Sequence, residues 1–489
     1  MTMKKISIVL ATIALVLSSC ADFLDVSPTN QAAASSSIMN EADAKVMLNG
    51  LYDALTTSSF YGRNFILYGD AKSDDLTVQS NGRGYDYMFA YNHSVSGYSM
   101  SGFWTSGYNI IMLCNNIIEN IDRLKEEGTT GLDEYRAQAL TIRAMVHYDL
   151  CRLYGKCYND DKASYGIPIA DKTVPAGAQL LRNSVEEVYN VVLRDLDDAA
   201  PSLSKDVKNR KGFVTYYANR ALKARALMDM QDWSGALSLA EEIYNSKAYK
   251  LYENDEWVAS WASQFGSESI FELGMNVNEG DLGNTGCVGA QYILGGGNGR
   301  NNQIFMASQS YLKLLGEDPE DVRWGVMGLD QVGESEGAAR LGSCYKYYGG
   351  LEMKGDGKAS SSAVNIKLIR LSEVVLIAAE AAARTNNMSK ASNYYNMIHA
   401  RSPKLTPVNT VTVDMVLAEK RKELFGEGLH FWDLIRTNST IVMDDSTPDV
   451  KVTTRETSFT RSFYKCILPI YNGELNANPG MRAQQNPGY

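Results

Sequence analysis

The run Ala224-Arg225-Ala226-Leu227, followed after a short polar turn by Trp233-Ser234-Gly235-Ala236, recurs in character 155 residues later as Ala379-Glu380-Ala381-Ala382 and Met388-Ser389-Lys390-Ala391. Each copy reads as a helix, a turn and a second helix that opens near an alanine. Small residues at these positions let two antiparallel helices approach closely, which is the packing logic of tetratricopeptide-type hairpins. Outward from them the chain keeps apolar spacings of three and four, the mark of amphipathic helices. The spacing predicts helices over 42–56, 102–123, 132–154, 184–199, 214–230, 234–246, 366–384, 389–401, 411–425 and 428–437. Strand-like alternation is rare. The expected fold class is mainly α, with about four tetratricopeptide-like hairpins forming a scaffold and a long irregular, loop-rich insertion packed on it.

That insertion, about 250–365, is rich in Gly, Asn, Ser and Tyr and carries Gly295-Gly296-Gly297-Asn298-Gly299-Arg300-Asn301-Asn302. Loops of such length are usually functional or disordered. A second irregular stretch, about 57–101, has the same flavour, with Tyr61, Arg63, Asn64, Tyr68, Arg83, Tyr85, Tyr87, Tyr91, Asn92 and Tyr98. Both stretches can project from the scaffold onto one face. A net charge of -10 offers no basic footprint for nucleic acid and disfavours an anionic membrane surface. An uncharged or cationic ligand fits better. Tyrosine is over-used, at 29 against 4 His and 11 Pro, and its flat ring with a polar tip suits both helix seams and sugar-stacking surfaces.

At the N-terminus Lys4 and Lys5 precede the apolar run Ile6 to Leu17, which reads as a signal peptide over 1–19. The run is too short to span a bilayer, and no later segment approaches the required length. Leu17-Ser18-Ser19-Cys20 resembles a bacterial lipobox, making Cys20 the lipidated first residue of the mature chain; the alternative is an ordinary signal peptide with an incidental cysteine. Residues 20–40 are polar and read as a tether. One domain is then expected over 41–489, its scaffold at about 41–250 and 366–489 and its insertion at about 250–365. The remaining cysteines lack any C-x-x-C spacing and read as packing residues, with a Cys151–Cys157 disulfide left open.

Five blocks carry a resemblance. Cys20-Ala21-Asp22-Phe23-Leu24-Asp25-Val26-Ser27-Pro28 is similar to the lipidated start of SusD/RagB proteins. Tyr135-Arg136-Ala137-Gln138-Ala139-Leu140 to Tyr148-Asp149-Leu150-Cys151-Arg152-Leu153-Tyr154-Gly155, with Gly166-Ile167-Pro168-Ile169, resembles that family's long early helix and following loop. The third block runs from Ile366 through Arg370-Leu371-Ser372-Glu373 to Ala381, with Asn396 and Arg401 beyond. The fourth is Glu419-Lys420-Arg421-Lys422-Glu423-Leu424-Phe425-Gly426-Glu427-Gly428-Leu429-His430-Phe431-Trp432-Asp433-Leu434-Ile435-Arg436. The last joins Leu468-Pro469-Ile470, Asn478-Pro479 and Gln485-Asn486-Pro487-Gly488-Tyr489. The resemblance implies a non-enzymatic, lipid-anchored protein of the outer-membrane surface that binds oligosaccharide and passes it to a TonB-dependent SusC-like transporter. It implies no cofactor. Alternatives are the same scaffold carrying peptide or another nutrient as a lid, or a surface glycoside hydrolase. Read for itself, the fourth block places its charges on one helical face, with ion pairs such as Glu419 with Lys422 or Glu423 with Arg436 fixing a hairpin at the surface.

Catalytic signatures are missing. His93, His147, His399 and His430 have no second histidine at metal-binding spacing and read as packing or surface residues, so no metal is expected. The glycine run at 295–299 does not fit a nucleotide cradle. Asp74-Asp75 reads as a turn or loop anchor, Asp197-Asp198 as a solvated helix face and Asp444-Asp445 as a polar loop, in place of a glycosidase pair. A sugar presents a face of C–H groups and a rim of hydroxyls, so capture needs a flat ring with nearby Asn, Arg or Asp. The residues selected on that ground are Arg83, Tyr85, Tyr87, Asn92 and Tyr98 from the first stretch, and Tyr292, Asn298, Arg300 and Trp324 from the second. Trp104 is excluded as core, because Trp104, Tyr108, Ile111 and Asn115 recur at helical spacing.

Overall fold

The computed structural model describes residues 37–275 except 81 and 83, then 286–294, 303–337, 340–348, 364–447 and 450–489. The expected signal peptide, the expected lipidation site Cys20 and most of the expected tether, together with Arg83, Asn298 and Arg300, lie outside the described residues. Ordered packing is already present at the first of them. Ser37 donates to Asn116 Oδ1 at 2.8 Å, Ile38 is fully buried, and the Asn40 side chain caps the helix that follows.

The scaffold comprises α1 (Glu41–Leu55), α2 (Asn64–Ala71), α3 (Ser101–Glu126), α4 (Asp133–Tyr154), α5 (Val185–Ala199), α6 (Tyr216–Asp229), α7 (Trp233–Asn245), α8 (Leu371–Arg384), α9 (Met388–His399), α10 (Val413–Glu423) and α11 (His430–Thr437). Local chemistry sets several of the starts. Ser184 and Glu187 form a capping box on α5, and Asp232 and Asn387 cap α7 and α9. Helices α3, α4 and α5 pack in succession, as do α6, α7, α8 and α9. The two hairpins that look alike in sequence are therefore neighbours in space, joined through α7 and α8, and the insertion is looped out between them. Alanines make that contact close: Ala378, Ala379, Ala381 and Ala382 in α8 are fully buried, as are Ala236 and Ala240 in α7.

Three expectations need correction. The helix predicted over 366–384 begins only at Leu371, because Ile366–Arg370 is a strand. Its backbone pairs antiparallel with Ser269–Leu273, Leu273 opposite Ile366, so a partner from within the insertion overrides the helical reading. Second, the stretch 57–101 is not wholly irregular. It holds α2, the strand Leu76–Val78 and the helical turn Asp86–Phe89. Every residue of α2 from Phe65 to Ala71 is buried, which leaves no amphipathic period to detect. Leu76–Val78 also pairs with Phe305–Ala307, tying this stretch to the insertion.

The third correction concerns the charges of 419–436, which are internal. Helix α10 packs against α8, α9 and the insertion's helix Gln309–Leu315, so Glu419, Lys420, Lys422 and Glu423 have little access to solvent. Glu419 does pair with Lys422 at 3.2 Å. Glu423, however, accepts from Arg370 at 3.2 Å and from Trp257 Nε1 at 3.3 Å, while Arg436 donates to Glu380 at 2.7 Å and to Asp433 at 2.8 Å. His430 is likewise an internal partner, its Nε2 2.9 Å from Asp74 Oδ1, and Asp75 binds the Arg421 guanidinium. Asp74-Asp75 thus anchors a loop, as the sequence suggests. Cys151 and Cys157 both carry free thiols. Among the described residues no helix is long and apolar enough to cross a membrane.

Candidate functional site

After the helical turn Asp86–Phe89 the backbone folds back through Tyr91, whose φ of 53° is left-handed, and runs through irregular bends to α3. The turn that results brings Tyr87 and Tyr98 face to face. Their rings are parallel within 5°, with centroids 4.3 Å apart. Tyr87 is the inner ring, half-buried, with His93 edge-on at 6.4 Å and its hydroxyl donating to Met100 Sδ at 2.9 Å. Burial raises the pKa of that hydroxyl, so it remains a proton donor. Tyr98 is the outer ring and is 53 % exposed. Ser94 holds the loop by accepting from the Gly97 amide at 2.7 Å.

Tyr85 stands at the start of the same segment, with the Arg63 guanidinium 4.8 Å from its ring centroid. Arg63 is fixed in turn, donating to the Gly286 carbonyl at 2.8 Å and to Asn64 Oδ1 at 2.9 Å. Asp86 accepts from the amides of Gly82 and Gly84 at 2.9 and 3.0 Å, which shapes the loop around position 83. Both glycines have positive φ, which a side chain would strain. Asn92 is exposed and its side chain projects from the same loop. The arrangement offers one exposed tyrosine ring backed by a second, with the exposed Asn92 in the same loop and the Arg63 guanidinium on the neighbouring Tyr85. Such a surface can stack on an apolar ring face and hydrogen-bond to hydroxyls.

The other selected aromatics do not join it. Tyr292 is 2 % exposed, and its hydroxyl donates to Asp70 Oδ2 at 2.7 Å, so it is a core pin and its selection is corrected. Trp324 is half-buried, with Nε1 donating to the Asp318 carbonyl at 3.3 Å, and among the described residues no ring contact links it to Tyr98. Arg63 is the participant that sequence selection missed. Its only signal is a place among tyrosines and asparagines at 61–64. Trp104 is core, at 4 % exposure.

Asp74, Asp75 and His430 bring three possible metal-ligand atoms within 4.8 Å of one another. The Arg421 guanidinium already binds both carboxylates, so the cluster closes as an ion-pair set.

Family models match both ends of the chain: one described as SusD family covers 339–489, and one described as "Starch-binding associating with outer membrane" covers 22–227. A crystal structure of a candidate sugar binding protein from Bacteroides vulgatus ATCC 8482 superposes with a TM-score of 0.82, at 30 % identity over 93 % of this chain and 100 % of that one. The chain belongs to the SusD family. A SusD superfamily protein from Bacteroides thetaiotaomicron VPI-5482 matches as well in shape, with a TM-score of 0.82 at 27 % identity, over 92 % of this chain and 100 % of that one. Among curated relatives, SusD-like protein P38 of Formosa agariphila is 25 % identical over 477 residues, spanning 87 % of this chain and 90 % of its own. The SusD-like blocks at 135–155, 366–381 and 419–436 lie largely in the packed interior here, so their part is in the fold.

Proposed function

We propose that this SusD-family chain is a cell-surface lipoprotein, anchored through Cys20, that captures oligosaccharide and delivers it to a TonB-dependent SusC-like outer-membrane transporter. One observation carries the glycan reading: the parallel Tyr87–Tyr98 stack with its outer face open to water. Family membership and the sugar-binding designation of the Bacteroides vulgatus relative support it. A carrier for basic peptides would need exposed carboxylates beside the plate. The nearby carboxylate of Asp86 is instead spent on backbone amides. Capture and release need no catalytic group, and we assign none. Isothermal titration against a panel of neutral oligosaccharides tests the reading. Binding that weakens about tenfold in Tyr98→Ala supports it, and silence across the panel in the unmodified protein refutes it. Co-purification with an outer-membrane barrel tests the partner.

A further inference from the structure

A cavity of about 520 Å³ opens where the end of α4 meets α11 and the segment 460–467, and it shares no residue with the tyrosine plate. Its size lies within the roughly 300–1,000 Å³ of small-molecule sites. Lys156, Asn438 and Ser462 mark its exposed mouth, and Tyr189, Asp229 and Trp432 its buried base. The base has an unusual polar arrangement. Tyr148 and Tyr189 both donate to one oxygen of Asp229, Oδ2, at 2.7 and 3.0 Å. The other oxygen, Oδ1, accepts from no described residue, although Asp229 is only 5 % exposed. Arg152 stands beside it, its guanidinium 4.2 Å from the Tyr148 ring and 4.5 Å from the Trp432 ring, with an Nε that has no partner.

Charge decides the ligand class. An anion would meet Asp229, and Arg152, whose guanidinium is also ion-paired with Asp149, sets positive charge beside Asp229 against a cation. At the mouth the charges are matched, Arg461 with Asp160 at 3.2 Å and Lys156 with Asp161 at 3.2 Å. Among the walls the partly exposed Ile435, Phe463 and Tyr464 supply apolar surface, whereas Trp432 is covered by Phe65, Tyr68 and Arg152. We infer that this cavity is a second binding site, taking a neutral, hydroxyl-rich molecule of mono- or disaccharide size whose hydroxyls donate to Asp229 Oδ1. The inference stands apart from the capture reading, because the residues differ.

The probes are free glucose, galactose, mannose, maltose, cellobiose and laminaribiose, followed by saturation-transfer NMR and calorimetry at millimolar concentration. At least one sugar is expected to bind the unmodified protein and Tyr98→Ala alike, with affinity at least tenfold weaker in Asp229→Asn and binding abolished by Ser462→Trp at the mouth. Melting temperatures establish that the variants fold. A second measurement needs no substitution: Cys157 lines the cavity and is only partly covered, so the bound sugar slows its alkylation. Unchanged alkylation at saturating sugar, no binding by any probe, or binding lost in Tyr98→Ala and kept in both cavity variants overturns the inference. Failure of long oligosaccharides alone bears on the capture reading and leaves this one intact.

Discussion

Nη1 of Arg323 lies 2.7 Å from Oε1 of Glu419, and the two side chains are 1 % and 0 % exposed. Asp321, on the other side, binds Nη2 of the same guanidinium at 2.6 Å. Burial by itself would raise the Glu419 pKa, but Arg323, His399 and Lys422 outweigh it and hold the carboxyl well below its usual range. Removing one member of a buried ion pair leaves the other uncompensated, at a cost of roughly 3–5 kcal/mol. Glu419→Gln is expected to destabilise the fold by that amount in urea titrations. An unchanged midpoint would mean that water reaches this network.

Acid should weaken the protein through His147. Its Nδ1–H donates to the Arg143 carbonyl at 3.0 Å, and its Nε2 accepts from the Ala170 amide at 3.3 Å. Protonating Nε2 would set N–H against N–H. Burial is the main cause that lowers this imidazole from 6.5 to about 4. The unfolded state therefore binds the proton first, so the contribution is complete above 6.5 and is lost as pH falls toward about 4. The loss is on the order of 3 kcal/mol. Denaturant titrations at neutral and acid pH, compared with those of His147→Gln, should show a shallower pH slope in the variant.

Gly69 and Gly428 pass so close that neither admits a side chain. A Cβ on Gly69 would sit 1.9 Å from the Gly428 carbonyl oxygen, and one on Gly428, where φ is +74°, would sit 2.7 Å from Ile66 Cα. Alanine at either position is expected to cost about 1–3 kcal/mol or more. Gly50, inside α1 with nothing within 4 Å of its missing Cβ, is the contrasting case. Gly50→Ala should stabilise by about 0.5–1 kcal/mol. Calorimetric melting of the three variants checks both directions.

At the plate, Tyr98→Ala should weaken oligosaccharide binding about tenfold, roughly 1.4 kcal/mol, while leaving the melting temperature nearly unchanged because the ring is exposed. Tyr98→Phe keeps the stacking face and should retain most of the affinity. Equal losses in the two variants would assign the binding to the hydroxyl.

The helices that present one apolar face to a neighbour were legible in sequence to within a few residues, as α3, α5 and α7 illustrate. What escaped had no such signal. Helix α2 is buried all round, so it has no period, and Ile366–Arg370 takes its state from a partner strand almost a hundred residues earlier. The charges of α10 look like a surface helix because nothing in the sequence states that α8, α9 and the insertion enclose it. At the site, Tyr87 and Tyr98 were found by composition, but Tyr292 has the same composition signal and points inward. Arg63 acts only through where the fold brings Gly286 and Tyr85, which spacing cannot reveal.

The carboxylate of Asp70 accepts from the Gly428 amide at 2.8 Å, and Leu76–Val78 finds its strand partner at Phe305–Ala307. The segment that leads into the tyrosine plate is thus locked by residues made more than two hundred positions later. A polypeptide synthesised from its N-terminus has made the plate's tyrosines long before it has made Gly428. Assembly must wait for the last segments to emerge, and an incomplete chain displays no finished plate.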